Sequence, residues 1–151
     1  MTEQEWKPQQ TGHPSEGTTS RTGPIIALVG GALMILGALM PWATLSTAFG
    51  SVSIPGTEGD GEIILILGVA VAALAAVDLA RRWRWSWVAV GICAGLALLI
   101  GLIDFSNVTE RIQAEDLEGG VASVGAGLYL VLLGAGAAFV GALLSRGRSV
   151  K

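Results

Sequence analysis

A chain of 151 residues with 14% charged and 52% apolar side chains and a mean hydropathy of +0.63 cannot be a water-solvated domain built around one core. Its net charge of −3 suggests no nucleic-acid partner, and its one cysteine, Cys93, implies neither a disulfide nor a metal site. The charges are segregated, and the apolar runs between them are long enough to predict helices that cross a lipid bilayer of about 30 Å hydrocarbon thickness.

Residues 1–23 are rich in Thr, Gln, Gly, Glu and Pro and cannot bury enough apolar surface to offset the entropy of ordering, so a disordered cytoplasmic tail is expected. Trp6 reads as an incidental tail aromatic. His13 lacks a second imidazole or thiolate nearby and is far from a metal-ligand set.

The run from Pro24 to Pro41 predicts a first membrane helix over 24–42, with Pro41 as its stop and Trp42 as an anchor at the membrane interface. Small residues at Ser46 and Ala48 would suit signal-peptide cleavage, but the apolar run is too long and its flank too weakly basic for that reading. The following loop mixes β-favouring residues with turn formers, and a small hairpin is expected around Phe49 to Ile54. Glu58, Asp60 and Glu62 alternate with glycines in a spacing that can wrap a hard cation. The rest of a calcium loop is missing, so a solvated acidic helix start is the expectation and a metal site the weaker alternative.

A second helix is predicted over 62–80, acidic at its start and basic at its end, as the helix dipole favours. Next comes the turn Arg81-Arg82-Trp83-Arg84-Trp85-Ser86-Trp87, whose arginines hold a short loop in the cytoplasm and whose indoles sit at headgroup level. A third helix is predicted over 86–105. In the loop after it, Asn107 followed by Glu110 resembles a capping box and suggests a separate short surface helix. A fourth helix over 123–144 leads into the basic tail 146–151.

Of the nine Lys and Arg residues, only Arg111 lies between helices one and two or between helices three and four. This bias places both termini in the cytoplasm and two acidic loops outside. The expected fold is therefore all-α, four transmembrane helices in two tandem hairpins over 24–145. Sliding the sequence by 64 residues, the distance from Gly31 to Gly95, also superposes Gly37 on Gly101, Gly61 on Gly125 and Arg82 on Arg146. A duplicated helical hairpin is one reading of that match.

Gly31, Gly91, Gly95 and Gly141 fall in small-xxx-small pairs, the pattern by which membrane helices approach closely. The middle of every helix lacks ionisable groups, which disfavours a proton-coupled carrier, and no nucleophile stands near a base, so no enzyme and no cofactor is expected. Asp104, Tyr129 and the acids at 58–62 are the positions an embedded enzyme would have to use. The glycine-rich first helix ending in Pro41-Trp42, the Gly59-Asp60-Gly61 before helix two and the Gly125-Ala126-Gly127-Leu128-Tyr129 opening helix four resemble the small four-helix membrane proteins of actinobacteria. That resemblance covers residues 24–148 and implies topology and a cell-membrane location, with no active site. The expected role is an accessory or interaction subunit whose partners are the bilayer, another membrane protein or further copies of itself. A small oligomeric pore, holin-like or transport-associated, is the alternative.

Overall fold

The computed structural model describes residues 21–47, 50–81, 85–115 and 121–146. Most of the expected tail, the turn residues Arg82, Trp83 and Arg84, and residues 147–151 lie outside the described residues. The fold is mostly helical: α1 (Thr22–Leu39), α2 (Gly61–Arg81), α3 (Ser86–Glu115) and α4 (Ala126–Arg146), all four long and apolar enough to cross a membrane. Their outward faces carry Ile25, Val29, Ile66, Val69, Leu99 and Leu133 exposed, which lipid accommodates and water does not. Both observations are those of a multi-pass integral membrane protein.

The helices form a ring in which α1 packs on α2 and α4, and α3 packs on α2 and α4. Met34, Ile64, Val71, Leu128 and Val131 are fully buried along its axis. The tightest contact is between α1 and α4, and glycines at seven-residue spacing on both helices produce it. Gly30 and Gly134 back onto each other: a Cβ on Gly30 would stand 2.5 Å from the Gly134 carbonyl oxygen and 2.6 Å from Ala138 N, and one on Gly134 would stand 2.7 Å from the Gly30 carbonyl oxygen. Gly37 meets Gly127 in the same way, with the Gly127 carbonyl oxygen 2.7 Å from a Cβ on Gly37, and Gly23 meets Gly141 one step the other way. In lipid, where apolar side chains gain nothing by leaving solvent, such backbone approach supplies the attraction through dispersion.

Three of the expected helix ends shift by three residues or more. α1 stops at Leu39, three residues short of 42, because a residue before proline is pushed out of the helical region. Met40 is accordingly extended (φ −86°, ψ 161°), and Pro41 and Trp42 open a strand. α4 begins at Ala126 rather than 123, because 121–124 form a strand. α3 does not end near 105 but continues unbroken to Glu115, so Asn107 lies inside a helix and caps nothing. Hydroxyls there bond back onto the helix, Ser106 Oγ to the Ile103 carbonyl oxygen at 2.8 Å and Thr109 Oγ1 to that of Phe105 at 2.7 Å.

At one end of the ring lies a feature that the all-α expectation omits, a three-stranded antiparallel sheet of β1 (Pro41–Thr47), β2 (Gly50–Pro55) and β3 (Val121–Val124) in the order β2-β1-β3. The hairpin expected near Phe49 to Ile54 is present as β1–β2, with Gly50 at φ +144°, a conformation that L side chains rarely adopt. The 64-residue shift carries Thr22, the first residue of α1, onto Ser86, the first of α3, and Gly61, the first of α2, onto Gly125, one residue before α4. It also carries β1 onto helical residues of α3, so the two halves diverge at the sheet end.

Candidate functional site: a cleft at the sheet end

The register gives the sheet two unlike faces. Ala43 pairs with Ile54 and Val124, and Leu45 with Val52, so these apolar residues share one face. Thr44 pairs with Ser53 and Ser123, and Ser46 with Ser51 and Val121, so hydroxyl-bearing residues predominate at the register positions of the other face. Val124 packs onto the core cluster at this end of the bundle.

Trp42 fixes the sheet to the helices. The register shifts between Pro41 and Ala43, which takes Trp42 out of the ladder. Its indole turns inward, 6% exposed, and Nε1–H donates to the Gly37 carbonyl oxygen at 3.0 Å. Its own carbonyl accepts from Gly125 N at 2.7 Å, and Gly56 N donates to the Met40 carbonyl at 3.3 Å. Side chains on Gly56 or Gly125 would collide with Trp42 or Pro41, so both glycines are required by the close approach of the chains.

Between the sheet and the end of α3 this arrangement leaves a cleft of about 480 Å³. Ala43, Leu45 and Ile54 from the apolar face, with Pro55, line it. Glu58, Asp60, Asp104 and Asn107 also line the cleft, together with Thr44. A single 3₁₀ turn over Gly56–Glu58 carries Glu58 there, and the Asp60 carboxyl sits beside that of Asp104. Asp104 Oδ2 is buried, and among the described residues no group donates a hydrogen bond to it. No Lys, Arg or His lines the cleft among the described residues. The lining therefore offers carboxyl and amide groups alongside apolar surface.

Of the three acids with cation-wrapping spacing, Glu58 and Asp60 reach the cleft, while Glu62 sits exposed in the first turn of α2. Among the described residues no three His, Cys, Asp or Glu side chains meet as a metal-holding group. The convergence of Asp104 and Asn107 on these acids is invisible along the chain. Asp104 falls inside the expected third helix and Asn107 just beyond it, and the continued helix sets the two one turn apart on the same side.

The residues expected as interface anchors divide between the two ends. Trp42 is enclosed by protein at the sheet end. At the opposite end Trp85 is 72% exposed, Arg81 is exposed too, and the Arg146 guanidinium stands 5.8 Å over the Trp87 ring in a cation–π contact. The four glycines expected at helix contacts differ in tightness. Gly31 backs onto α2, where a Cβ would stand 2.9 Å from Ala72 N, and Gly141 onto α1, 2.7 Å from Ala27 N. Cβ atoms at Gly91 and Gly95 would make ordinary contacts of 3.7 Å and 3.8 Å with Ala142 and Phe139. No family model matches the chain, and no curated protein is significantly similar to it.

Proposed function

We propose that the chain is a non-enzymatic accessory or interaction subunit of a bacterial cell membrane, with both termini in the cytoplasm and the sheet end outside. The observation that carries this reading is the pairing of a sealed bundle with a folded platform. Met34, Ile64, Val71, Leu128 and Val131 fill the axis, so the helices serve as a rigid mount rather than a conduit. What they mount is a sheet whose edge strand β2, Gly50–Pro55, is uncharged and exposes Val52 (64%) and Ile54 (48%). Edge strands that lack charge or cover tend to pair with other chains.

Isolation from native membranes in mild detergent, with mass spectrometry of what stays bound, tests the role. A stoichiometric larger partner is expected. A complex made only of copies of this chain would instead favour the oligomeric-pore alternative and call for flux assays. Orientation has its own test on a Cys93→Ala background. Glu58→Cys should react with a membrane-impermeant maleimide on intact cells, and Arg146→Cys only after permeabilisation.

A further inference from the structure

We propose that Arg146, held over the ring of Trp87 at the end of the bundle opposite the sheet, seats the phosphate of an anionic phospholipid whose acyl chains lie along the exposed face of α4. Neither the orientation nor the protein partner proposed above is required for this. The first support is the geometry of the cation. The Arg146 guanidinium stands 5.8 Å over the Trp87 ring while the residue stays exposed, so the contact ties the end of α4 to the start of α3 and leaves the group open to the outside. A guanidinium held over an aromatic face retains its in-plane N–H donors, and a pair of phosphate oxygens matches that fork.

The second support is charge. Glu58, Asp60, Glu62, Asp104 and Glu110 gather toward the sheet end. The described acid nearest the opposite end, Asp78, is 9% exposed on α2, which stands diagonally across the ring from α4. Arg21, Arg81 and Arg146 are exposed cations at that end. Along the whole sequence, the segments that lead into or out of it hold every Lys and Arg except Arg111, against Asp78 and, ahead of α1, Glu3, Glu5 and Glu16. Positive charge predominates with those acids counted, and it favours an anionic headgroup. The third support selects a lipid over a free phosphate. Val140, Leu143 and Leu144, half exposed or more, lie in the two turns of α4 before Arg146, within about 9 Å of it along the axis. At the start of α3, Trp85 is 72% exposed, an amphipathic ring of the kind that settles at headgroup level. A phospholipid meets the cation and the apolar surface together, whereas a free phosphate meets only the cation.

The test uses the full chain in non-ionic maltoside micelles given equimolar dioleoyl phosphatidylglycerol and dioleoyl phosphatidylcholine, with native mass spectrometry counting the lipid that stays bound. Retention of phosphatidylglycerol roughly fivefold above phosphatidylcholine is expected, with no displacement by millimolar inorganic phosphate. Arg146→Gln should abolish the preference, and Trp87→Leu, which removes the ring beneath the guanidinium, should weaken it. Arg81→Gln, at an exposed cation on the diagonal helix, should preserve it. Thermal unfolding of the two arginine variants should match that of the unaltered chain, since both residues are exposed at helix ends. Equal retention of the two lipids, or an unchanged preference in Arg146→Gln and Trp87→Leu, would overturn the proposal. So would equal loss in Arg81→Gln and Arg146→Gln, which would mean diffuse attraction without a site, or displacement by inorganic phosphate, which would make the ligand a free anion.

Discussion

At the scale of single residues, glycines fall into two groups that look alike in the sequence and differ by more than an ångström in the fold. Gly30 and Gly134 have no room for a methyl group, because backbone atoms of the facing helix occupy its place. Gly30→Ala and Gly134→Ala are each expected to destabilise the protein by about 1–3 kcal/mol through overpacking. Gly91→Ala and Gly136→Ala meet ordinary contact or open space and should stay within about 0.5 kcal/mol. Denaturant unfolding followed by circular dichroism in micelles separates the two groups. Trp42→Phe removes the indole bond to the Gly37 carbonyl, but that carbonyl still accepts from Met40 N at 3.3 Å. The expected loss is therefore only about 1 kcal/mol, read from the same unfolding curves. The sequence displays the decisive glycines openly at 23, 30 and 37 and at 127, 134 and 141, but a search for four-residue spacings passes over a seven-residue one. Which helix each glycine would meet is set by tertiary packing and is not encoded locally.

At the scale of elements, hydropathy made the four helices legible, since each must satisfy its own backbone within lipid. Their ends were not, because the signals there are local and competing. Asn107 and Glu110 have the spacing of a cap, but from Leu102 to Glu115 there is neither glycine nor proline to interrupt the helix. A helix of 30 residues is about 45 Å long, longer than a bilayer core, so its last turns extend past the apolar span and flank the sheet. Ser106→Pro discriminates the two readings. Inside a continuous helix it should cost about 3 kcal/mol or more, whereas at a break after residue 105 it would be tolerated. Thermal melting of the purified variant checks this. The β1–β2 hairpin could be read from its residues, but β3 could not. Val121-Ala-Ser-Val124 looks like the start of an apolar helix until β1 offers it a partner, and strand pairing over that sequence distance leaves no local mark.

At the scale of the whole molecule, the ring of four helices is closed along its axis by apolar side chains and capped at one end by the sheet. A single copy should not conduct. Vesicles reconstituted at low protein-to-lipid ratio are expected to hold a potassium gradient as well as protein-free vesicles do, measured with a potential-sensitive dye. The candidate cleft was only partly legible at this scale. Glu58 and Asp60 declare themselves by their spacing, while Asp104 joins them through tertiary packing and Asn107 only because α3 runs on past its expected end at 105.

The glycine-lined contact joins α1 to α4, and β1 likewise finds its second neighbour in β3, just ahead of α4. During synthesis α1 enters the bilayer with its most adhesive face uncovered and stays so until α4 arrives. A chain released before α4 would present bare backbone at Gly23, Gly30 and Gly37 and a second open sheet edge at β1. α4 and the strand ahead of it thus cover both surfaces, so losing them exposes the helix seam and the sheet edge together.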